Sequence, residues 1–169
     1  MAAARLNGPT TLLLSAACCS SFFFWAGSQI ASAQTPAPKA QNSPAGVEDS
    51  QRAWQHWTLN CQGCHRPDGT GSAGTAPSLA GTVARFLSVP GGREYLGRVP
   101  GVATSPLSDA DLAEVVNWML WRFDEAHLPK NFRPFTAAEM GRLRGAPLRL
   151  EASQMRADLL KKADESAPP

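Results

Sequence analysis

At 169 residues, with 43% hydrophobic and 18% charged side chains, the chain has material for one modest core and so for one domain. Its formal net charge of +2 comes from 16 basic and 14 acidic residues scattered along the sequence. That balance is too slight for a nucleic-acid binder and singles out no class of partner.

The first 33 residues read as an address and not as fold. Arg5 is the only charge before Lys39, an apolar run extends from Leu12 to Ile30, and Ala31-Ser32-Ala33 has the small-x-small pattern that signal peptidase accepts. Cleavage there makes Gln34 the new N-terminus and leaves no membrane span. Two competing readings are weaker. Cys18 as a lipidated cysteine would want an aliphatic residue three positions earlier, where Ser15 stands, and the apolar run continues past it through Phe22 to Trp25. An uncleaved anchor from Thr10 to Ala33 has enough length to cross a bilayer but is interrupted by Ser, Gly and Gln.

Residues 34–47 begin QTPAPKAQNSPAG, rich in Pro, Ala, Gln and Ser without periodicity, and are expected to tether rather than to pack. Folded structure is expected from 48. With Asp49 or Ser50 as cap, Ala53, Trp54 and Trp57 recur at three- and four-residue steps and predict a short amphipathic helix running up to Asn60. His56 lies beside that stripe and reads as a partly exposed helix residue ahead of any ligand role.

The helix delivers Cys61-Gln62-Gly63-Cys64-His65. Loss of the leader removes Cys18 and Cys19, so the exported chain holds these two thiols alone. A disulfide between them is possible in an oxidising compartment. Zinc would want a second ligand pair, and only His56 and His127 stand elsewhere. A thioredoxin-like pair would want a strand before the helix. Cys-x-x-Cys-His is instead the attachment pattern of c-type haem: both thiols add to the vinyl groups from one helical turn, and the next imidazole, His65, meets iron from one face. One covalent haem c is the expected cofactor.

After His65 the chain turns loop-like, with Asp68-Gly69-Thr70-Gly71, Gly74, and then Ala76-Pro77-Ser78-Leu79-Ala80-Gly81. CQGCH, the DGTG turn and Pro77-x-Leu79-x-Gly81 together resemble the class I c-type cytochromes. The resemblance implies a small all-α fold in which the first and last helices of the core pack around the haem, and it covers about residues 48 to 125. It also implies that the Pro77 carbonyl accepts from the second nitrogen of His65, fixing the ring's orientation and tautomer.

Shorter helices are expected around Thr82–Leu87 and Arg93–Leu96, separated by Pro90-Gly91-Gly92. The family's second axial ligand, usually a Met shortly before the last helix, has no counterpart here. Residues 97–107, GRVPGVATSPL, contain no Met, His, Lys or Cys, and hydroxyls such as those of Thr104 and Ser105 are poor ligands. His127, just past the last helix, is the leading candidate for the distal position. Met140, His56 and Met119 are weaker, Met119 reading as core packing at a helical step, and Tyr95 and Met155 come last.

The last helix of the core is signalled by Ser108 as cap, by Asp109 and Asp111 at its positive end, and by Leu112, Val115, Val116, Met119 and Leu120 on one face. Trp118 or Met119 is expected near Trp54 or Trp57. The cytochrome domain is set at 48–128. Residues 129–150 form a packed extension, broken at Pro129 to Pro134, anchored by Phe132 and Phe135, and carrying a short helix from Thr136 to about Gly145 with a Thr136–Glu139 capping box. Arg133, Arg142, Arg144 and Arg149 make the extension locally basic, and solvated charge is their default reading. Residues 151–169 read as a polar tail, at most an exposed helix.

Two functions follow. The first is a periplasmic carrier passing single electrons between a dehydrogenase or respiratory complex and an acceptor such as an oxidase, partners that the resemblance implies; this is electron transfer rather than enzymology. The alternative is a haem protein whose open distal face binds or reacts with oxygen, nitric oxide, carbon monoxide or peroxide. That chemistry would want a polar group over the iron, for which the loop offers Arg98, Thr104 and Ser105.

Overall fold

The computed structural model describes residues 43–166. The leader at 1–33 and the linker up to 42 lie outside the described residues. Among the described residues the secondary structure is helical, with one isolated bridge between Ser72 and Ala76 and no strand. No helix among them is long and apolar enough to cross a membrane.

Helix α1 spans Ser50–Asn60. Asp49 caps it, its carboxylate accepting from the Gln51 and Arg52 N–H groups at 2.9 and 3.0 Å. Ala53 and Trp57, one turn apart, face the core and have no exposed surface. Trp54 does not join them: one step around the helix from Ala53, it is 47% exposed. The expected linker is also ordered at its end. Pro44 and Val47 close a turn, Val47 is buried, and the Gly46 carbonyl accepts from Asn117 at 3.1 Å. The apolar Val47 has a core to enter, which outweighs the weak local propensity of the stretch before it.

A single turn, α2 (Gln62–His65), follows Cys61. The chain then wraps without regular structure to a 3-10 turn at Ala84–Ser88, followed by α3 (Gly92–Arg98) and the one-turn α4 (Pro100–Ala103), which opens on proline as a first-turn residue should. The break between the 3-10 turn and α3 falls at the expected Pro-Gly step.

Helix α5 (Asp109–Asp124) is capped by Ser108, whose hydroxyl accepts from the Asp111 N–H at 3.1 Å. It packs on α1. Trp57 meets Trp118 at 6.1 Å and Phe123 at 4.7 Å between ring centres, and Trp118 meets Phe123 edge-on at 5.8 Å. Each such pair contributes about 0.5–1.5 kcal/mol beyond the area it buries. The seam has a polar pin as well. The buried Glu114 carboxylate accepts from the Glu48 and Asp49 N–H groups at 2.9 and 2.8 Å and from both Nε and Nη2 of Arg52. That contact raises the Arg52 pKa and lays a negative charge on the positive end of α1.

The segment after Pro134 packs on α5 and α3. Asn117, 1% exposed, donates to the Phe135 carbonyl at 3.0 Å and accepts from the Phe135 N–H at 2.8 Å, stitching the segment after Pro134 to α5. Helix α6 (Ala137–Arg144) starts at Thr136, whose hydroxyl accepts from the Glu139 N–H. The Glu139 carboxylate does not reach back to complete the box. It accepts from Arg93 of α3 at 2.6 and 2.7 Å, a charge-assisted pair that outcompetes a backbone N–H.

Residues 152–165 are not a polar tail. They form α7 (Ala152–Glu165), which buries Leu159 and Ala163 against the 3-10 turn and α3. Ala152, Met155, Arg156, Leu159, Leu160 and Ala163 share one stripe at helical steps, so an amphipathic face was present among the charges.

Candidate functional site

Trp57 at the end of α1 and the α2 turn set the position of the Cys61–His65 cluster. The Cys64 and His65 N–H groups both donate to the Cys61 carbonyl, at 3.2 and 3.1 Å, so the motif is wound into one turn and its three side chains leave the same short stretch. Neither thiol is in a disulfide. Cys61 is the more enclosed, and burial pushes its pKa up to about 11, which keeps it a neutral thiol.

The imidazole of His65 is held from two sides. Its ring lies 6.1 Å from that of Trp57. Its Nδ1 stands 3.1 Å from the Pro77 carbonyl oxygen, which can only accept, so Nδ1 carries the hydrogen and Nε2 keeps its lone pair. Burial lowers the His65 pKa, so the ring is neutral at neutral pH, the state in which imidazole binds a metal.

The strap between His65 and Pro77 is fixed by its own backbone. Gly71 N–H donates to the His65 carbonyl at 3.0 Å, Ser72 N–H to Ala76 at 2.9 Å, and Leu79 N–H to Gly69 at 2.8 Å. The Ser72 hydroxyl closes back on the Cys64 carbonyl at 2.9 Å. These bonds bring Pro77, twelve residues downstream, against His65.

Residues 97–107 lie across α6. Val99 and Val102 are half-buried against the core. Arg144 of α6 donates to the carbonyls of Ala103 at 3.3 Å, Leu107 at 2.8 Å and Ser105, and its Nη1 is 3.2 Å from Asp109. Arg98 in turn donates to the Ala146 carbonyl at 2.6 Å, while Leu148 N–H donates to the Arg98 carbonyl. The stretch that has no methionine is thus bolted to the extension through its backbone. Arg144 is not the solvated charge that composition suggests, since four acceptors claim it.

The proposed distal residues occupy separate neighbourhoods. His56 Nε2 lies 3.5 Å from Asp111 on the α1–α5 seam. Met119 is buried within α5, and Met140 of α6 has no exposed surface at all. His127 sits in a short 3-10 turn after α5 with its Nδ1 on the Asp124 carboxylate, whose other oxygen accepts from the Ala84 N–H at 2.8 Å. Among the described residues no three His, Cys, Asp or Glu side chains gather as a metal site by themselves.

Two thiols and a neutral imidazole on one turn, framed by a first and a last helix in an all-α core, define a class I c-type cytochrome. Comparison with known proteins agrees. The sequence profile of the family described as "Cytochrome c" matches residues 50–122. Cytochrome c-552 of Thermus thermophilus is 38% identical over 106 residues, covering 52% of this chain and 81% of that protein. A second cytochrome c-552, from a particular strain of the same organism, is 38% identical over 106 residues and is covered over 72% of its length. The chain belongs to the cytochrome c family.

Its cofactor is covalently bound haem c, which supplies reversible one-electron chemistry at iron. The residues present fit that group. The thiols are in no disulfide, as addition to vinyl groups requires, and the imidazole offers one lone pair while its other nitrogen is engaged. No side chain crowds the motif at Gly63, where a Cβ would meet nothing within 4 Å.

Proposed function

We propose that the protein is an exported monohaem electron carrier in which Cys61 and Cys64 form the thioether bonds, His65 binds iron through Nε2, and Pro77 orients His65. The observation that carries this reading is the His65 Nδ1 to Pro77 carbonyl contact at 3.1 Å, because it engages Nδ1 and leaves Nε2 to offer a lone pair. An imidazole whose other N–H is engaged is held in one tautomer and rotation and would be a stronger donor to iron. The carrier passes single electrons between a periplasmic dehydrogenase or respiratory complex and its acceptor. The leader at 1–33 supports export to the periplasm and residence there without a retained span.

His127 is the first residue to test for the sixth position. Its Nδ1 is on a carboxylate, which leaves Nε2 as the nitrogen to offer a metal, the arrangement that metal-bound histidines show. A second reading, an open distal face that takes a small ligand, is supported by the composition of 97–107 and by the backbone bolting through Arg144. One measurement separates them. Carbon monoxide added to the reduced holoprotein leaves the visible spectrum unchanged if a strong protein ligand is in place, and a rapid shift to a carbonyl spectrum overturns the carrier with two fixed ligands. If the spectrum holds, His127→Ala opens the site to carbon monoxide only if His127 is that ligand.

A further inference from the structure

We propose that Arg156, on α7 and outside the segment that matches the family, binds a propionate carboxylate of the haem. The inference rests on the reading that Cys61, Cys64 and His65 hold that haem.

Arg156 reaches inward from the core-facing stripe of α7. Its Nη2 donates to the Ser78 carbonyl at 3.1 Å, one residue beyond the carbonyl that orients His65. Its guanidinium carbon stands 5.2 Å from the centre of the Phe86 ring, and Phe86 stacks on Tyr95 at 4.9 Å. One side chain therefore meets the strap that carries Pro77, the 3-10 turn and, through Phe86, α3.

Its surroundings are short of negative charge. Arg52, Arg85, Arg93 and Arg144 each have a carboxylate partner, whereas among the described residues no carboxylate stands within ion-pair reach of Arg156. A guanidinium presents five donors in a planar fork suited to a carboxylate, and here it meets neutral partners, the Ser78 carbonyl, the Phe86 ring and the Tyr95 hydroxyl. Holding such a cation half-buried is costly unless an anion meets it. Haem c carries two carboxylates, on its propionate arms, and with both vinyl groups taken by Cys61 and Cys64 these are its remaining polar substituents. Arg156 approaches the His65 neighbourhood from α7 and the Ser78 strap, whereas the thiols arrive from α1 and α2.

The charge gives the test its sign. A cation beside the ring favours the ferrous form, which carries one positive charge fewer, so removing it favours the ferric form. In the holoprotein, Arg156→Gln retains a donor for the Ser78 carbonyl and Arg156→Lys retains the charge. At a fixed applied potential Arg156→Gln lowers the ferrous-to-ferric ratio about tenfold, equivalent to about 59 mV for one electron. Arg156→Lys stays within about twofold. The propionate carboxylate band in the reduced-minus-oxidised infrared spectrum shifts in the Gln variant and holds in the Lys variant. An unchanged potential and band in Arg156→Gln, with or without a lower melting temperature, overturn the proposal and leave Arg156 a strut for Ser78. Loss of a covalently retained Soret band from the unsubstituted protein after acid-acetone extraction would instead sink the haem-site reading beneath it.

Discussion

Gly71 and Gly74 sit in the same strap at nearly the same backbone angle, φ 77° and 73°, and differ in what surrounds them. A Cβ on Gly71 would stand 2.4 Å from the Ala76 carbonyl oxygen and 2.7 Å from the Pro77 carbonyl carbon, whereas one on Gly74 meets nothing within 4 Å. Both substitutions force an L-residue into the left-handed region at about 1 kcal/mol, and only Gly71→Ala must also displace the backbone that presents Pro77 to His65. Gly71→Ala is expected to cost about 2–3 kcal/mol in urea unfolding and to perturb the haem spectrum. Gly74→Ala costs about 1 kcal/mol and leaves the spectrum unaltered; equal losses would mean that the strap can yield at Gly71. At this scale much of the site was legible. Cys61, Cys64 and His65 are dictated by a chemical spacing, and Pro77 entered through resemblance. Arg156 was not legible, because nothing near it in the chain distinguishes it from the charges of Arg149, Lys161 and Lys162.

Between elements, polar contacts hold helices whose local signals are modest. Arg93 ties α3 to α6 and to the segment before it: it meets both Glu139 oxygens, donates to the Arg133 and Pro134 carbonyls at 2.7 and 3.1 Å, and covers the Phe135 ring at 3.9 Å. Its hydrogen bonds, opposed by burial, lower the Glu139 pKa. A carboxylate whose folded pKa is depressed contributes stability at pH above its unfolded value, about 4.3, and loses that contribution as pH falls through the folded value. Glu139→Gln is therefore expected to unfold about 1–2 kcal/mol more easily than the parent at pH 7, with the gap closing as pH drops below the usual carboxylate range. A gap that is constant across urea titrations from pH 7 to pH 3 would show that the charge is immaterial. The helices themselves were readable from their caps, at Asp49, Ser108 and Thr136. Which partner each acid takes was not, since Glu139 fits both a capping box and an Arg93 pair until the fold decides.

Across the molecule, α7 completes the core rather than trailing from it. Leu159 and Ala163 are 5% and 6% exposed, and Met155 and Leu160 are half-buried against the same cluster. A chain ending at Leu150 is expected to lose about 3–5 kcal/mol of stability, from roughly 1.5–3 kcal/mol per fully buried large side chain and lesser amounts for the partly buried ones. It is also expected to show the lowered potential of Arg156→Gln. Unaltered urea unfolding in that truncated protein would mean that α7 rests on the core without supporting it.

The haem motif, the helical core and the absence of a methionine before α5 could all be read along the chain, because each is a matter of local spacing, local propensity or the bare identity of residues. The fate of single charges could not. Whether Arg144, Arg149 and Arg156 meet solvent, carbonyls or an anion depends on residues tens of positions away, and only the packing of α6 and α7 brought Arg144 onto residues 103–109 and Arg156 onto Ser78. Trp54 and Trp57 show the same limit among apolar residues: both fit an amphipathic stripe, and the surface of α5 had room for one.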